Sequence, residues 1–191
     1  MGGSCTGKTT VSRRLAAVLG VPHVELDALH HDPGWQEASA EVFQARVRAA
    51  LDAAPEGWVV DGNYRSKLGD LVLELADTAV LLEPPFFRTL GRAFSRTVRR
   101  TITREVLWNG NTERLRHVFR SDWIPLWVIR THRHYERQNS ERVALHPHLT
   151  TVRLRSDAEV EAFAQSIQAT ASMSGSSNGS ERQKTPPFVE T

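Results

Sequence analysis

The first ten residues, MGGSCTGKTT, constrain this chain more than any other stretch. Gly2, Gly7, Lys8 and Thr9 satisfy G-x-x-x-x-G-K-[ST], a spacing that lets a strand-to-helix turn wrap its backbone around phosphate groups. Gly2, Gly3 and Gly7 lack a Cβ, so the turn can curl and aim successive N–H groups at phosphate oxygens. The expected cradle is therefore Gly2, Gly3, Ser4, Cys5, Thr6, Gly7, Lys8, Thr9 and Thr10. In such a cradle Lys8 reaches the β- and γ-phosphates, the Thr9 hydroxyl holds Mg²⁺, and the helix opening near Lys8 adds its positive end. A disordered Gly/Ser-rich terminus is the competing reading, and the full motif match running directly into a helical pattern favours the cradle. A doubly wound sheet places a buried strand ahead of this turn, flanked on both sides. Only Met1 precedes Gly2 here, so the first strand of the sheet is expected to be absent from this chain.

At 191 residues the chain has the length for one domain of ordinary size plus a tail. Its 40% hydrophobic and 24% charged residues are those of a soluble globular protein, and the net charge of +2 says little about partners. The single cysteine, Cys5, cannot form an internal disulfide, which suits a reducing cytoplasm. No apolar run approaches the roughly 18 residues of a bilayer span, and the N-terminus carries no signal-peptide core, so no membrane association is expected.

Along the chain, Thr9 to Leu19 places Val11, Leu15, Val18 and Leu19 on one face of a helix that Gly20 ends. Val21 to Leu26 reads as a strand delivering Asp27, and Asp27 to Trp35 (DALHHDPGW) as an irregular loop turning at Pro33-Gly34. In a parallel α/β sheet ligands lie beyond the carboxyl ends of strands. Asp27, His30 and Trp35 are accordingly candidate lining of an acceptor pocket. The paired histidines and aspartates lack a second ligand cluster at helical spacing, which argues against a metal site of their own. Ser39 opens a helix to about Ala54, and Trp58-Val59-Val60 is a buried strand ending at Asp61, followed by Gly62, Asn63, Tyr64 and Arg65. A carboxylate after an apolar strand is where such an enzyme places its second Mg²⁺-binding group, so Thr9 and Asp61 form the expected metal pair. A helix from Lys67 to Ala76 and a strand from Thr78 to Leu82 follow.

From Phe86 to Arg104 the chain carries Arg88, Arg92, Arg96, Arg99, Arg100 and Arg104 with no acidic residue among them. With no local countercharge, an anionic partner is expected, either a nucleotide around which arginines close or a nucleic-acid backbone that they track. The near absence of interleaved aromatics beyond Phe94 favours the nucleotide. Leu107 to Phe119 reads as a turn and short helix, and Trp123 to about Ser140 as a longer helix with Arg130 and Arg133 as further candidates. Leu149 to Leu154 is a last strand, and Ser156-Asp157-Ala158-Glu159 caps a final helix ending near Ala169. Residues 171–191, rich in Ser and Gly with a Pro pair, are expected to be a disordered tail after a folded unit of residues 1–170.

The order of phosphate loop, strand ending in LDALHHDPGW, strand ending in WVVDGNYRS and Arg-rich helix resembles the adenylate-kinase-like P-loop family labelled topology modulation proteins. The segment DGNYR is similar to the DG-x-P-R segment of nucleoside monophosphate kinases, with Tyr64 where those enzymes have proline, which leaves the acceptor open. The resemblance implies a five-stranded parallel sheet, an acceptor-binding flap and an Arg-rich lid at about 86–142. It assigns Arg88 and Arg92 to the ATP side and Arg96 to the lid. Taken together, the expected function is transfer of the γ-phosphoryl of ATP to a small acceptor, with ATP and Mg²⁺ as cofactors. Lys8, Asp27, Asp61, Arg88, Arg92 and Arg96 are the expected catalytic set, and Asp27, His30, Trp35, Gly62, Asn63, Tyr64 and Arg65 the acceptor side. A nucleic-acid-associated ATPase and a non-catalytic nucleotide-binding regulator are the alternatives.

Overall fold

The computed structural model describes residues 1–103, 124–176 and 188–190. The elements run in the order α1 (Lys8–Leu19), β1 (His23–Glu25), α2 (Leu26–His30), β2 (His31–Asp32), β3 (Gln36–Glu37), α3 (Ala40–Asp52), β4 (Val59–Asp61), α4 (Arg65–Leu68) and α5 (Leu71–Leu75). They continue with β5 (Thr78–Leu82), α6 (Phe86–Thr103), α7 (Ile124–Ala144), β6 (Thr150–Leu154), α8 (Asp157–Ser176) and β7 (Phe188–Glu190). The chain is therefore α/β, a small parallel sheet between helices. Among the described residues no helix is long and apolar enough to cross a membrane.

Every residue of β4 and β5 is buried, as expected for strands covered on both faces. The period-2 alternation of side chains divides the core into two. Val60, Ala79 and Leu81 point to one face, where Phe43, Val47 and Leu51 of α3 and Leu71 to Leu73 of α5 pack with Trp58. Val59, Val80 and Leu82 point to the other, against Val11, Leu15 and Ala16 of α1 and Ala164 of α8. The apolar stripe of α1 and α8 thus share one layer.

The five strands lie in the order β1-β4-β7-β5-β6, all parallel. The sequence reading leaves the slot between β4 and β5 without its strand and makes residues 171–191 a structureless tail. No strand precedes α1 among the described residues, and the slot is occupied instead by residues of the C-terminal stretch. α8 continues to Ser176, and Phe188–Glu190 enters the slot, with Val59, Val60 and Asp61 opposite on one side and Thr78 and Ala79 on the other. Beyond the end of the β7–β5 pairing, Met1 takes over: its amine donates to the Val80 carbonyl, and the Leu82 N–H donates to the Met1 carbonyl at 2.6 Å. Backbone from opposite ends of the chain thus lines one sheet position, and Met1, fully buried, leads from it into the glycine loop. The physical reason is the sheet itself: buried N–H and C=O groups demand partners, and the β-favouring pair Phe188-Val189 supplies them.

Smaller differences also have local causes. The stretch after β1 is a short helix, α2, followed by a two-stranded antiparallel hairpin, β2 with β3, rather than an irregular loop. The helix expected over Lys67 to Ala76 is broken into α4 and α5 at Gly69, whose φ of 58° and ψ of −129° are not helical. Arg142 of α7, itself buried, holds this break by donating to the Gly69 carbonyl and, at 2.6 Å, to Asp70. At the start of α8, Ser156 Oγ accepts from the Glu159 N–H at 3.2 Å while Glu159 accepts from the Arg155 N–H at 2.8 Å, a reciprocal cap. The turn and helix expected at 107–119 and Arg104 lie outside the described residues, as do the side chains of Arg100, Arg130 and Arg133.

Deleting residues 177–191 should strip β7 from the sheet and lower the unfolding free energy by about 1 kcal/mol for each backbone hydrogen bond lost. The check is the urea midpoint of the shortened chain. An unchanged midpoint would show that β4 and β5 do not depend on this strand.

Candidate functional site

Two residues of the glycine loop take left-handed backbone conformations, Cys5 with φ 62° and Gly7 with φ 104°. At Gly7 the conformation favours glycine, and a Cβ would also lie 3.1 Å from Arg92 Nη1. The loop closes on itself: Lys8 Nζ donates to the Gly2 and Gly3 carbonyls at 3.0 and 2.9 Å, and the Thr6 hydroxyl donates to the Gly3 carbonyl at 3.0 Å. Gly7 then caps α1, its carbonyl accepting from the Thr10 and Val11 N–H groups at 3.1 Å each. An ammonium stationed across a ring of loop carbonyls, beside the N-terminus of a twelve-residue helix, is a concentrated positive site for anionic oxygens. A small cleft beside the loop is lined by Gly2, Gly3 and Thr6 together with Glu136 and Asn139 of α7.

The carboxyl ends of β1 and β4 bring the carboxylates to this loop, since Glu25 and Asp61 are opposite one another in the ladder. Asp61 is buried and accepts a hydrogen bond from the Thr9 hydroxyl. Burial pushes its pKa above the ordinary carboxylate range, and the charge of Asp27 adds to the rise, while the Thr9 hydrogen bond and the Lys8 ammonium oppose it. Thr9, Lys8, Asp61 and Asp27, distant in sequence, therefore act on one another at one sheet edge. A hydroxyl and a single buried carboxylate suit Mg²⁺, which keeps most of its waters and takes few protein ligands. Among the described residues no group of three or more His, Cys, Asp or Glu side chains converges as a metal site.

The acceptor-side candidates separate into three groups. Gly62, with φ 146°, is a packing residue: a Cβ there would lie 2.5 Å from Leu26 Cβ, so glycine lets the end of β4 pass close to α2. His30 is buried, its ring 4.9 Å from Phe43 and 4.6 Å from Tyr64. Burial, then the positive charge of Lys67, lowers its pKa and favours neutral imidazole. Gly62 thus makes room for α2, and the His30 ring packs against the Tyr64 ring. Trp35 lies partly exposed in the β2–β3 turn with its ring 5.4 Å from His31, and Asn63 and Arg65 are exposed. Tyr64 contacts Asp27 directly, its hydroxyl donating to Asp27 Oδ1 at 2.5 Å.

The arginines behave differently from the sequence expectation that no countercharge neutralises them. Asp157, at the start of α8, pairs through one oxygen with Arg92 and through the other with Arg88, each at 2.7 Å. Arg92 also donates to the Thr6 carbonyl at 2.8 Å, which fastens α6 to the glycine loop. Arg96 reaches Cys5 Sγ at 4.0 Å, and its buried Nε has no hydrogen-bond partner. Of the three, Arg96 retains the largest unmet capacity for an anion. Asp157 escaped sequence reasoning because it serves as a helix-start residue there and meets Arg92 across 65 residues of chain. Lys67 and Arg46 were missed for a related reason: they are ordinary surface types whose hydrogen bonds to the α2–β3 segment form only in the folded chain.

Compared with known protein families the chain matches none, and it matches no curated protein.

Because the folded pKa of Asp61 lies above its unfolded value, its ionisation opposes folding. That contribution is absent at about pH 4 and below, and stability is lost as the pH rises through the folded pKa. Asp61→Asn should therefore unfold at a higher temperature than the wild type at about pH 8, with the difference shrinking toward pH 4. Thermal unfolding followed across that range checks the sign. A variant less stable than wild type at about pH 8 would show that the Thr9 and Lys8 contacts outweigh burial.

Proposed function

We propose that this chain is an ATP·Mg²⁺-dependent phosphotransferase of the P-loop, adenylate-kinase-like type, acting on a small acceptor. The observation that carries the proposal is the meeting of Lys8, Thr9 and Asp61 beneath a loop whose backbone turns left-handed at Cys5 and Gly7. Phosphoryl transfer asks the protein for little covalent chemistry, so positioning and charge neutralisation are what its residues must supply. The loop N–H groups and the α1 N-terminus bind the phosphate oxygens, and Lys8 exchanges its loop carbonyls for the β- and γ-phosphates. Mg²⁺ would be held by the Thr9 hydroxyl and, directly or through water, by Asp61, and would neutralise charge on the phosphate oxygens. Arg92 tethers α6 to the loop, and Arg96 turns its unmet donor to the transferred group. Asp27 faces the acceptor.

The internal pairing of Arg88 and Arg92 with Asp157 supports the nucleotide reading over the nucleic-acid one, because it removes two positions from any continuous stripe tracking a phosphate backbone. The lone cysteine inside the loop fits a cytoplasmic enzyme.

Calorimetric titration with ATP and Mg²⁺ tests the reading. The wild type should bind saturably, and Lys8→Ala should weaken binding by about tenfold to a hundredfold, the value of one charge-assisted contact to phosphate. ADP should then form only when a small acceptor is added. A wild-type protein that binds no ATP·Mg²⁺ sinks the proposal, and ATP turnover driven by RNA or DNA instead of a small molecule replaces it with the nucleic-acid-associated ATPase.

A further inference from the structure

Tyr64 stands on the short connection between β4 and α4, and its ring is half-buried against Phe43 at 5.0 Å and His30 at 4.6 Å. Packed in this way, its hydroxyl is directed at two groups of the neighbouring segment, Asp27 Oδ1 at 2.5 Å and His31 Nε2 at 3.3 Å. Burial, followed by the negative charge of Asp27, pushes the Tyr64 pKa far above the ordinary phenol range, so the phenol remains a donor. One oxygen of Asp27 is thus held, and Oδ2 is left to accept from something else.

Three of the cations on the surrounding elements are already engaged, while Arg65, next to Tyr64, is exposed. Lys67 donates to Glu37 at 2.8 Å and to the Ala38 carbonyl at 3.2 Å, and it lies 3.3 Å from His30. Arg46 is bound to both oxygens of Asp32, at 3.0 and 3.3 Å, and to the Leu29 carbonyl at 2.9 Å. Arg13 is bound to Glu25. A phosphate arriving here would meet the charge of Asp27, with that of Asp61 close behind, and three cations committed to other carboxylates. A hydroxyl would meet an oriented acceptor oxygen.

We propose that the phosphoryl acceptor is an uncharged alcohol whose hydroxyl is oriented by Asp27, and that Tyr64 is the positioning residue that fixes the Asp27 carboxylate. This rests on the phosphotransferase reading above and narrows it. In the step itself, a lone pair of the alcohol oxygen forms the bond to the γ-phosphorus. The bond from the γ-phosphorus to the β–γ bridging oxygen breaks, and its electron pair leaves with ADP. The alcohol proton passes to Asp27 Oδ2 and from there to solvent. His31 Nε2 lies 3.3 Å from the Tyr64 hydroxyl.

The test compares matched pairs of compounds on the full 191-residue protein, nucleosides and polyols against their phosphate monoesters. Binding is measured by calorimetry with a non-hydrolysable ATP analogue and Mg²⁺ present, and transfer by ADP formation. At least one uncharged alcohol should bind and be phosphorylated. Tyr64→Phe preserves the ring packing and removes only the hydroxyl, and it should lower kcat about tenfold or more with little change in KM for the alcohol and none in ATP·Mg²⁺ affinity. Asp27→Asn, which can still accept from Tyr64, should lower kcat by about 100-fold or more. Phosphate monoesters as the only acceptors, wild-type kcat in both variants, or no alcohol turned over by a protein that binds ATP·Mg²⁺ would each overturn the proposal. Absence of ATP·Mg²⁺ binding to the wild type is a different result, which removes the phosphotransferase reading and this proposal with it.

Discussion

A parallel sheet buried on both faces has no water to hydrogen-bond its strands, so each inner position must be occupied by backbone. In this protein that demand is sharpest between β4 and β5, the two strands whose side chains form the centre of both core layers. Residues 188–190 and Met1 meet it jointly. Much of the site depends on the same slot. Met1 leads into the glycine loop, β4 delivers Asp61, and the register of β4 with β1 brings α2 and Asp27 alongside. A shift of one residue in this ladder would turn Val60 and Val59 to the wrong layers and carry Asp61 away from Thr9.

The electrostatics of the site follow from where charges are matched and where they are left unmatched. Most cations near the loops have internal partners: Arg88 and Arg92 with Asp157, Lys67 with Glu37, Arg46 with Asp32, Arg142 with Asp70. Such pairs contribute little each where exposed, but they fix the direction of long side chains. Arg92 illustrates this, because its bond to Asp157 holds the guanidinium where it can also bind the Thr6 carbonyl. Against this background the unmatched groups stand out. Asp61 is a buried carboxylate whose raised pKa Thr9 and Lys8 only partly oppose, Lys8 donates to loop carbonyls, and the Arg96 Nε is buried without a hydrogen-bond partner. Groups held at an energetic disadvantage beside one another are what a phosphate and a divalent cation would relieve.

The aromatic cluster around Tyr64 plays a mechanical part. His30, Phe43 and Tyr64 pack edge to face or tilted, with centroids within 5.0 Å of each other, and the buried rings leave the phenol hydroxyl little freedom. Neutral His30 fits this role better than a charged one would, since its ring is enclosed and the Lys67 ammonium lies 3.3 Å away.

Some of this was legible from residue order alone. The motif G-x-x-x-x-G-K-T specifies a loop needing left-handed backbone, Gly20 ends α1 in a left-handed cap, and the apolar run Thr78 to Leu82 is a strand with the expected bounds. These are local matters, decided by whether a residue has a Cβ, where apolar groups recur and which side chain can cap a helix. The sequence by itself therefore determined the α/β character, the position of the loop and Asp61 at the end of β4, whereas the strand expected over Val21 to Leu26 stops at Glu25 and Asp27 lies in α2. Tertiary structure alone decided which strand fills the centre of the sheet, that Asp157 neutralises Arg88 and Arg92, that His30 faces inward and that Tyr64 holds Asp27. Each of those depends on contacts between residues far apart in the chain, whose choice among many chemically similar partners is made by packing and by the need to satisfy every buried polar group.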